Sequence, residues 1–121
     1  MTADPDTTGR AARPAPPLVS VVVPAHNVRG TIDVQLEALA GQDYAGRFEV
    51  IVADNNSTDG LADHLRDHPL AGPLNLRCVP AGDVQGAAHA RNVGARYADG
   101  DLLAFCDGDD RVHDGWLSAL V

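Results

Sequence analysis

Three aspartates lie within four residues near the end of the chain, in the run LLAFCDGDD over residues 102–110. Clustering like charges costs free energy unless a cation lies among them, so Asp107, Asp109 and Asp110 could bind a divalent metal ion through oxygen ligands. A solvated acidic turn, in which Asp and Gly are chosen for turn geometry, explains the same residues equally well. The rest of the sequence must decide between these two interpretations.

Spacing excludes several common uses of acidic and glycine-rich loops. An EF-hand starting at Asp107 would place Arg111 at its fifth position and Ser118 at its twelfth, where oxygen ligands are needed. A start at Asp54 places Leu65 at the twelfth position and fails in the same way. The chain has no GxGxxG after its first apolar run, no P-loop motif and no lysine. Phosphate on a ligand would therefore have to be bound by a metal, an arginine or the backbone.

Histidine and cysteine offer weaker candidates for a site. His64 and His68 are four residues apart on a predicted helix and could bind one metal ion together. Because no third ligand lies near them in the sequence, a solvated helix face is the favoured interpretation. Cys78 and Cys106 each lie in an apolar run, which favours buried reduced thiols over a disulfide or a metal site.

Four apolar runs predict strands, at residues 18–23, 48–53, 74–79 and 102–106. The first run is almost continuously β-branched and ends at Pro24, as expected for a strand buried on both faces. Pro73 and Pro80 enclose the third run, which favours an edge position. Helical patterns follow at 28–40, from 61 towards Pro69, at 87–98 and from 115 onwards, with Ser57 or Thr58 expected to cap the second.

This alternation predicts an α/β fold, a parallel sheet of about four strands with helices on both faces. Ligands of such sheets bind beyond the carboxyl ends of the strands, where the strand order reverses. Three polar clusters follow strands here, at residues 24–27, at Asp54 and at residues 107–110. We expect these clusters to meet at one edge of the sheet.

Length and composition describe one domain of an ordinary globular protein. The 121 residues are 45% hydrophobic and 21% charged, and the formal net charge of -8 argues against a nucleic-acid partner. Residues 1–17 are predicted to be a disordered tail, because they are rich in proline and polar residues, and residues 18–121 form the domain. No signal peptide and no membrane span is recognisable, so a cytoplasmic location is expected.

Three segments, VSVVVPAHN, FEVIVADNNSTDG and GAAHARNVGARYADGDLLAFCDGDD, together resemble the nucleotide-binding half of family 2 glycosyltransferases. The resemblance covers residues 18–120 and implies the Rossmann-like half of a GT-A fold. It implies inverting transfer from a nucleotide-sugar donor, with a UDP-sugar expected, to a sugar, lipid or polysaccharide acceptor. It also implies Mg²⁺ or Mn²⁺ as cofactor, and a place at the cytosolic face of the membrane for the full-length protein.

The resemblance assigns roles to individual residues near the nucleotide. It implies that three residues at the end of strand one line the nucleotide pocket, namely Pro24, Ala25 and Asn27. Asp54 matches the acid that accepts a hydrogen bond from the base, and Arg91 matches a residue that reaches the base or the diphosphate. The usual acidic neighbour of Asp54 is replaced by Asn55, which removes a charge from this part of the pocket.

The acidic run matches the DxD motif of the family. The resemblance implies that Asp107 holds the ribose or a metal-bound water, that Asp109 ligates the metal directly, and that Asp110 supports or ligates it. Gly94 is interpreted as a residue that permits close packing of its helix.

The acceptor site and the catalytic base of the family lie beyond the DxD strand. The chain is therefore expected to be a donor-binding half truncated after this motif, and to self-associate through the edge of its fourth strand, which is left exposed. A non-catalytic nucleotide-sugar or metal-binding module of the same fold is the main alternative. A metal-dependent phosphatase or nucleotidyltransferase is disfavoured, because no nucleophile motif follows strand one.

Overall fold

A four-stranded parallel sheet forms the centre of the computed structural model, which describes residues 15–121. Its strands, in spatial order β3-β2-β1-β4, are β1 (Val19–Ala25), β2 (Phe48–Asp54), β3 (Leu76–Pro80) and β4 (Leu102–Phe105). The helices that alternate with them are α1 (Ile32–Ala40), α2 (Leu61–Arg66), α3 (Ala87–Arg96) and α4 (Trp116–Leu120). The predicted α/β fold is confirmed. Most of the predicted tail lies outside the described residues, so that prediction stays open.

Side chains of the central strands alternate between two apolar clusters, one on each face of the sheet. Val50 and Val52 of β2 belong to the larger cluster, which they share with buried residues of α1, α2 and α4. Ile51 and Ala53 belong to the smaller cluster, which they share with α3. Helices therefore cover both faces of the sheet.

Strand β1 is the most buried element, since all seven of its residues are inaccessible to solvent or nearly so. It passes through Pro24, where the sequence pattern had predicted its end. Val22 accepts a hydrogen bond from Cys106 on the β4 side, and Pro24, two residues on, faces the same side. In the described sheet, β4 pairs with β1 only as far as Val22, so no paired strand faces the nitrogen of Pro24. The missing N–H group of proline therefore costs the sheet no hydrogen bond at this position. The predicted end of the strand was therefore wrong.

Close packing of α3 against β1 depends on Gly94. A Cβ atom at this position would overlap the Cγ1 atom of Val22, which is fully buried. The sequence interpretation of Gly94 as a packing residue is confirmed. Strand β3 lies at the edge of the sheet opposite to β4, and this is the edge position that its flanking prolines predicted.

The start of α2 differs from the prediction. Neither Ser57 nor Thr58 caps this helix, which begins after Gly60 without a side-chain cap. The Ser57 hydroxyl instead accepts a hydrogen bond from the backbone N–H of Asn27 at 3.0 Å. The backbone N–H of Thr58 donates to the side-chain oxygen of the same asparagine at 2.7 Å. These groups therefore join the loops after β1 and β2.

His64 and His68 do not lie on a solvated helix face, so that interpretation was wrong. Their side chains are only 24% and 8% exposed, and both rings face Asp33 of α1. Asp33 is more than 30 residues away in the sequence, so the sequence pattern gave no sign of this neighbour.

Glu49 connects β1, β3 and the loop before β4 through hydrogen bonds at the amino-terminal edge of the sheet, opposite to the polar clusters. The Ser20 hydroxyl donates to its carboxylate at 2.6 Å, the backbone N–H of Asp99 at 2.8 Å and the Arg77 guanidinium at 3.1 Å. Burial raises the pKa of Glu49, but these donors lower it by more, so its pKa lies below the ordinary value. Within residues 15–121, no helix is long and apolar enough to cross a membrane.

Candidate functional site

A cavity of about 390 Å³ opens at the carboxyl-terminal edge of the sheet. It lies among the loop after β1, Asn55 after β2, the start of α3 and residues 107–109 after β4. The chain runs outwards from β1 to β3 and then returns to place β4 on the other side of β1. The cavity therefore occupies the position where the strand order reverses, which is where ligands of open α/β sheets bind.

The loop that carries the acidic residues is fixed from α1 by Gln35. This side chain is fully buried, and its amide group donates to the carbonyl of Asp107 at 2.9 Å. Its side-chain oxygen accepts a hydrogen bond from the backbone N–H of Val112, also at 2.9 Å. Gly108 is packed so closely that a Cβ atom there would lie 2.8 Å from Val28. One buried glutamine thus holds both ends of the acidic loop.

Asp107 and Asp109 line the cavity, whereas Asp110 lies outside it. Both lining residues are exposed, and within residues 15–121 neither forms a salt bridge with an arginine or histidine. The Asp110 carboxylate accepts a hydrogen bond from the backbone N–H of Arg111 at 3.1 Å. Two carboxylates without a protein cation form an oxygen donor set that suits Mg²⁺ or Mn²⁺. These residues therefore fit the predicted metal.

Cys106, next to this pair in the sequence, is not part of the cavity lining within residues 15–121. Burial raises the pKa of its thiol to about 12, and the negative charges of Asp107 and Asp110 contribute to the shift. Cys78 is affected in the same way, since burial and Asp54 raise its pKa to about 11. Both cysteines are free, as the sequence predicted. Within residues 15–121, Asp107 and Asp109 are the carboxylates that line the cavity.

Asn55 organises the opposite wall of the cavity. Its side chain is buried, and its amide group donates to the carbonyls of Ala81 at 2.7 Å and Val84 at 2.9 Å. Its side-chain oxygen accepts from the side chain of Gln85 at 2.8 Å and from the backbone N–H of Gly86 at 2.9 Å. All four hydrogen-bonding positions are used. A carboxylate could not donate to the two carbonyls, which explains why an asparagine suits this position.

His26 is a further residue of the cavity that the sequence analysis did not single out. Its Nδ1 atom lies 2.6 Å from the carbonyl oxygen of Asn55, so this nitrogen carries the proton and donates. The Nε2 atom of the neutral ring then holds a lone pair. This nitrogen lies 3.4 Å from the side-chain amide nitrogen of Asn27, which can donate to it, so a ligand hydroxyl or N–H group would have to replace Asn27.

The structure brings together only some of the predicted site residues. Pro24, Ala25, Asp107 and Asp109 line the cavity.

The other three predicted residues, Asn27, Asp54 and Arg91, are not part of the cavity lining within residues 15–121. Asn27 and Asp54 accept hydrogen bonds from backbone N–H groups of the loop after β2, at 2.7 and 3.1 Å. Arg91 is half-buried on α3. Contact of these three residues with a nucleotide stays a prediction.

Gln35 and Asn55 were missed because their partners are distant in the sequence. Gln35 gave a faint signal, since it lies on the face of α1 that also carries Ile32, Leu36 and Leu39, and all four are buried. A polar side chain on such a face requires hydrogen-bond partners. Asn55 gave no such signal, because its partners lie 26 to 31 residues further on.

Comparison with known proteins gives consistent results. The sequence model of glycosyl transferase family 2 matches residues 20–121. Glycosyltransferase AglE of Haloferax volcanii is 38% identical over 102 residues, which cover 84% of this chain and 33% of AglE. Validoxylamine A glucosyltransferase of Streptomyces hygroscopicus subsp. limoneus is 42% identical over 93 residues, which cover 75% of this chain and 20% of that enzyme. The chain thus spans a third or less of these relatives.

Solved structures show the same fold. The structure of S. aureus TarS 1–349 in complex with UDP superposes with a TM-score of 0.74 at 31% identity, over 84% of this chain and 30% of the TarS 1–349 chain. Mannosyltransferase PcManGT from Pyrobaculum calidifontis, in complex with GDP-Man and Mn²⁺, gives a TM-score of 0.70 at 34% identity, over 78% of this chain and 28% of that one. The family match begins in β1 and continues past the acidic loop, so it includes every strand that borders the cavity. By sequence and by fold, this chain belongs to glycosyl transferase family 2.

Proposed function

We propose that this chain binds the nucleotide-sugar donor of an inverting glycosyltransferase, with UDP as the nucleotide and Mg²⁺ or Mn²⁺ as the cofactor. The observation that carries this proposal is the pair Asp107 and Asp109, which line a cavity at the switch point of the sheet and form no salt bridge with any residue of the described range 15–121. The structures of TarS with UDP and of PcManGT with GDP-Man and Mn²⁺ support it.

The start of α3 gives the cavity a second feature suited to a diphosphate. This ten-residue helix begins at Ala87, which lines the cavity, and no side chain within the described residues caps it. Free backbone N–H groups and the helix dipole favour an anion at such an end. We place the diphosphate between this helix start and the Asp107–Asp109 pair.

Other residues of the chain position these binding groups. Gln35 holds the acidic loop, Asn55 holds the loop that leads into α3, and the carbonyl of Asn55 orients the His26 ring that lines the cavity. Val28 and Ala87, which line the cavity and are accessible to solvent, contribute small apolar surfaces on which a flat base or ribose can lie. A divalent cation held by Asp107 and Asp109 would supply Lewis-acid stabilisation of the leaving nucleoside diphosphate.

Calorimetric titration with nucleoside diphosphates tests the proposal. UDP, GDP, CDP and ADP are titrated separately into the chain, each with Mn²⁺ and again with a chelator. We expect UDP to bind most tightly and to lose at least about tenfold in affinity when the metal is removed. Equal UDP affinity under both conditions would contradict the metal role of the two aspartates, and tighter binding of GDP would contradict the choice of base.

A further inference from the structure

Asp33, His64 and His68 form a cluster on the side of the protein where α1 meets the end of α2. The Nε2 atoms of His64 and His68 lie 2.8 and 2.9 Å from one and the same oxygen, Oδ1 of Asp33. The two rings meet edge to face, with their centroids 5.3 Å apart. Three metal-ligating groups, from α1, from α2 and from the turn after α2, therefore converge on one point.

We propose that this cluster is a binding site for Zn²⁺, independent of the donor site. Two imidazole nitrogens and one carboxylate oxygen are a ligand set that zinc favours. None of the three residues lines the cavity at the carboxyl edge, and the acidic loop contributes no atom to the cluster. The proposal therefore does not depend on the proposed function.

The spacing of the ligand atoms allows an ion to enter with little movement. All three atoms lie within 4.8 Å of one another. In tetrahedral coordination, with bonds of about 2.0 Å, neighbouring ligand atoms lie about 3.3 Å apart. The two contacts between histidine and Asp33 are about half an ångström shorter than this, so modest side-chain rotation would open the site.

Charge around the cluster favours a cation. Glu37, one turn further along α1, and Asp67, the neighbour of His68, line the same cavity of about 530 Å³. Either carboxylate, or a water molecule, could supply the fourth ligand that zinc requires. The chain as a whole carries a formal charge of -8, so a divalent cation reduces an existing excess of negative charge.

Metal binding has to compete with the hydrogen bonds of the metal-free cluster. The backbone N–H of Leu70 donates to Nδ1 of His68 at 3.1 Å, which leaves the ring proton on Nε2. Coordination through Nε2 moves that proton to Nδ1 and breaks the bond to Leu70. Nδ1 of His64 has no hydrogen-bond partner among residues 15–121, so this ring can change its tautomer without such a loss. Coordination therefore replaces three hydrogen bonds, the two from the histidines to Asp33 and the one from Leu70, by three coordinate bonds to zinc.

Zinc would join two elements that otherwise share few contacts. Helix α2 has only six residues and is held to the apolar cluster by two buried leucines, Leu61 and Leu65. An ion shared by Asp33 of α1 and His64 of α2 would couple the two helices directly. Because the unfolded chain lacks the site, zinc should raise the unfolding temperature, and the rise should increase with the zinc concentration.

Calorimetric titration of the full chain with Zn²⁺ tests the proposal, in the unmodified protein and in an Asp109→Asn background that weakens metal binding at the donor site. We expect a zinc-binding event that persists in Asp109→Asn. His64→Gln and His68→Gln should each weaken this event at least tenfold. His89→Gln is the matched control, because His89 also contacts a single aspartate, Asp83, at 2.6 Å but has no second histidine beside it.

A measurement without substitutions in the cluster guards against variants that fail to fold. On addition of one equivalent of Zn²⁺ to the Asp109→Asn protein, the imidazole NMR signals of His64 and His68 should shift together, while that of His89 should not. Unchanged signals of His64 and His68 would overturn the proposal and leave the cluster as a hydrogen-bonded clamp. Equal zinc affinity in His64→Gln and unmodified protein would overturn it as well.

Discussion

Asp109 is one of two acidic residues among residues 15–121 that line the carboxyl-edge cavity. It faces the carboxyl-edge cavity, whereas Asp114, a few residues on, is exposed in the following loop and does not line it. We expect Asp109→Ala to weaken Mn²⁺-dependent UDP binding at least tenfold, or about 1.4 kcal/mol, because a metal ligand is lost. Asp114→Ala should leave the affinity unchanged. Calorimetry measures the UDP affinity of the two variants. An equal loss of affinity in both would show that the overall negative charge of the region, and not metal ligation by Asp109, supports binding.

Asn55 and Asn56 allow a direct test of what burial contributes at the site. Both amide groups donate two hydrogen bonds to the loop before α3, but Asn55 is 2% exposed and Asn56 is exposed. Asn55→Asp should lower the free energy of unfolding by about 1–3 kcal/mol, because two carbonyls would face a buried carboxylate. Asn56→Asp should cost less, since water can replace its bonds. Urea unfolding measures both, and equal losses would contradict the role of burial.

At the scale of elements, Glu49 connects β1, β3 and the loop before β4. Its folded-state pKa lies below the ordinary value of 4.5, because its hydrogen bonds outweigh the effect of burial. A lowered pKa stabilises the fold fully above the unfolded-state pKa, and this contribution is lost as the pH falls through the folded-state value. We expect the unmodified chain to lose stability below about pH 4.5 and Glu49→Gln to show a weaker dependence there. Urea unfolding from about pH 7 to about pH 3 measures this, and parallel curves would contradict it.

Strand β4 presents an apolar edge to solvent. Leu102, Leu103 and Phe105 are 42%, 46% and 44% exposed, and β4 has β1 as its only neighbour in the described sheet. Unpaired edges of this kind favour pairing with another chain, so we expect concentration-dependent association. Leu103→Lys should reduce it, whereas Val34→Lys, at an equally exposed position on α1, should not. A monodisperse monomer by light scattering at high concentration would contradict this prediction.

At the scale of the whole molecule, the positions of the acids bear on catalysis. Inverting transfer needs a base within hydrogen-bond reach of the acceptor hydroxyl. Glu49 lies at the amino-terminal edge of the sheet and Glu37 on α1, away from the donor cavity. Asp114 is the single carboxylate after Asp110 and is too close to the acidic loop to reach across a bound sugar.

We therefore expect these 121 residues to bind the donor and to hydrolyse it slowly at most, without transfer to an acceptor. An assay with labelled UDP-sugars and several sugar and lipid acceptors measures this. Transfer that is lost in Asp109→Ala would contradict the prediction and show that a base is present within the chain. Donor binding without any turnover would favour a non-catalytic module.

The sequence by itself determined the features that depend on local patterns. Apolar runs predicted the four strands, and the almost continuous β-branched run of β1 predicted a strand buried on both faces, which needs apolar side chains at every position. The run CDGDD predicted the acids at the carboxyl edge, since a strand must end where the chain becomes polar. Three motifs in order were sufficient to recognise the family.

Only the tertiary structure decided which distant residues meet. Gln35 binds the acidic loop across 72 residues, and Asp33 meets His64 across 31, although each lies in a helix whose local pattern was recognised. The same holds for Asn55, whose hydrogen-bond partners around the cavity include Ala81 and Gly86, 26 and 31 residues further on. Hydrophobic periodicity records which face of an element is buried, but not which loop or helix covers it. The partner of a polar side chain depends on how the elements pack, and a periodic pattern contains no information on that packing.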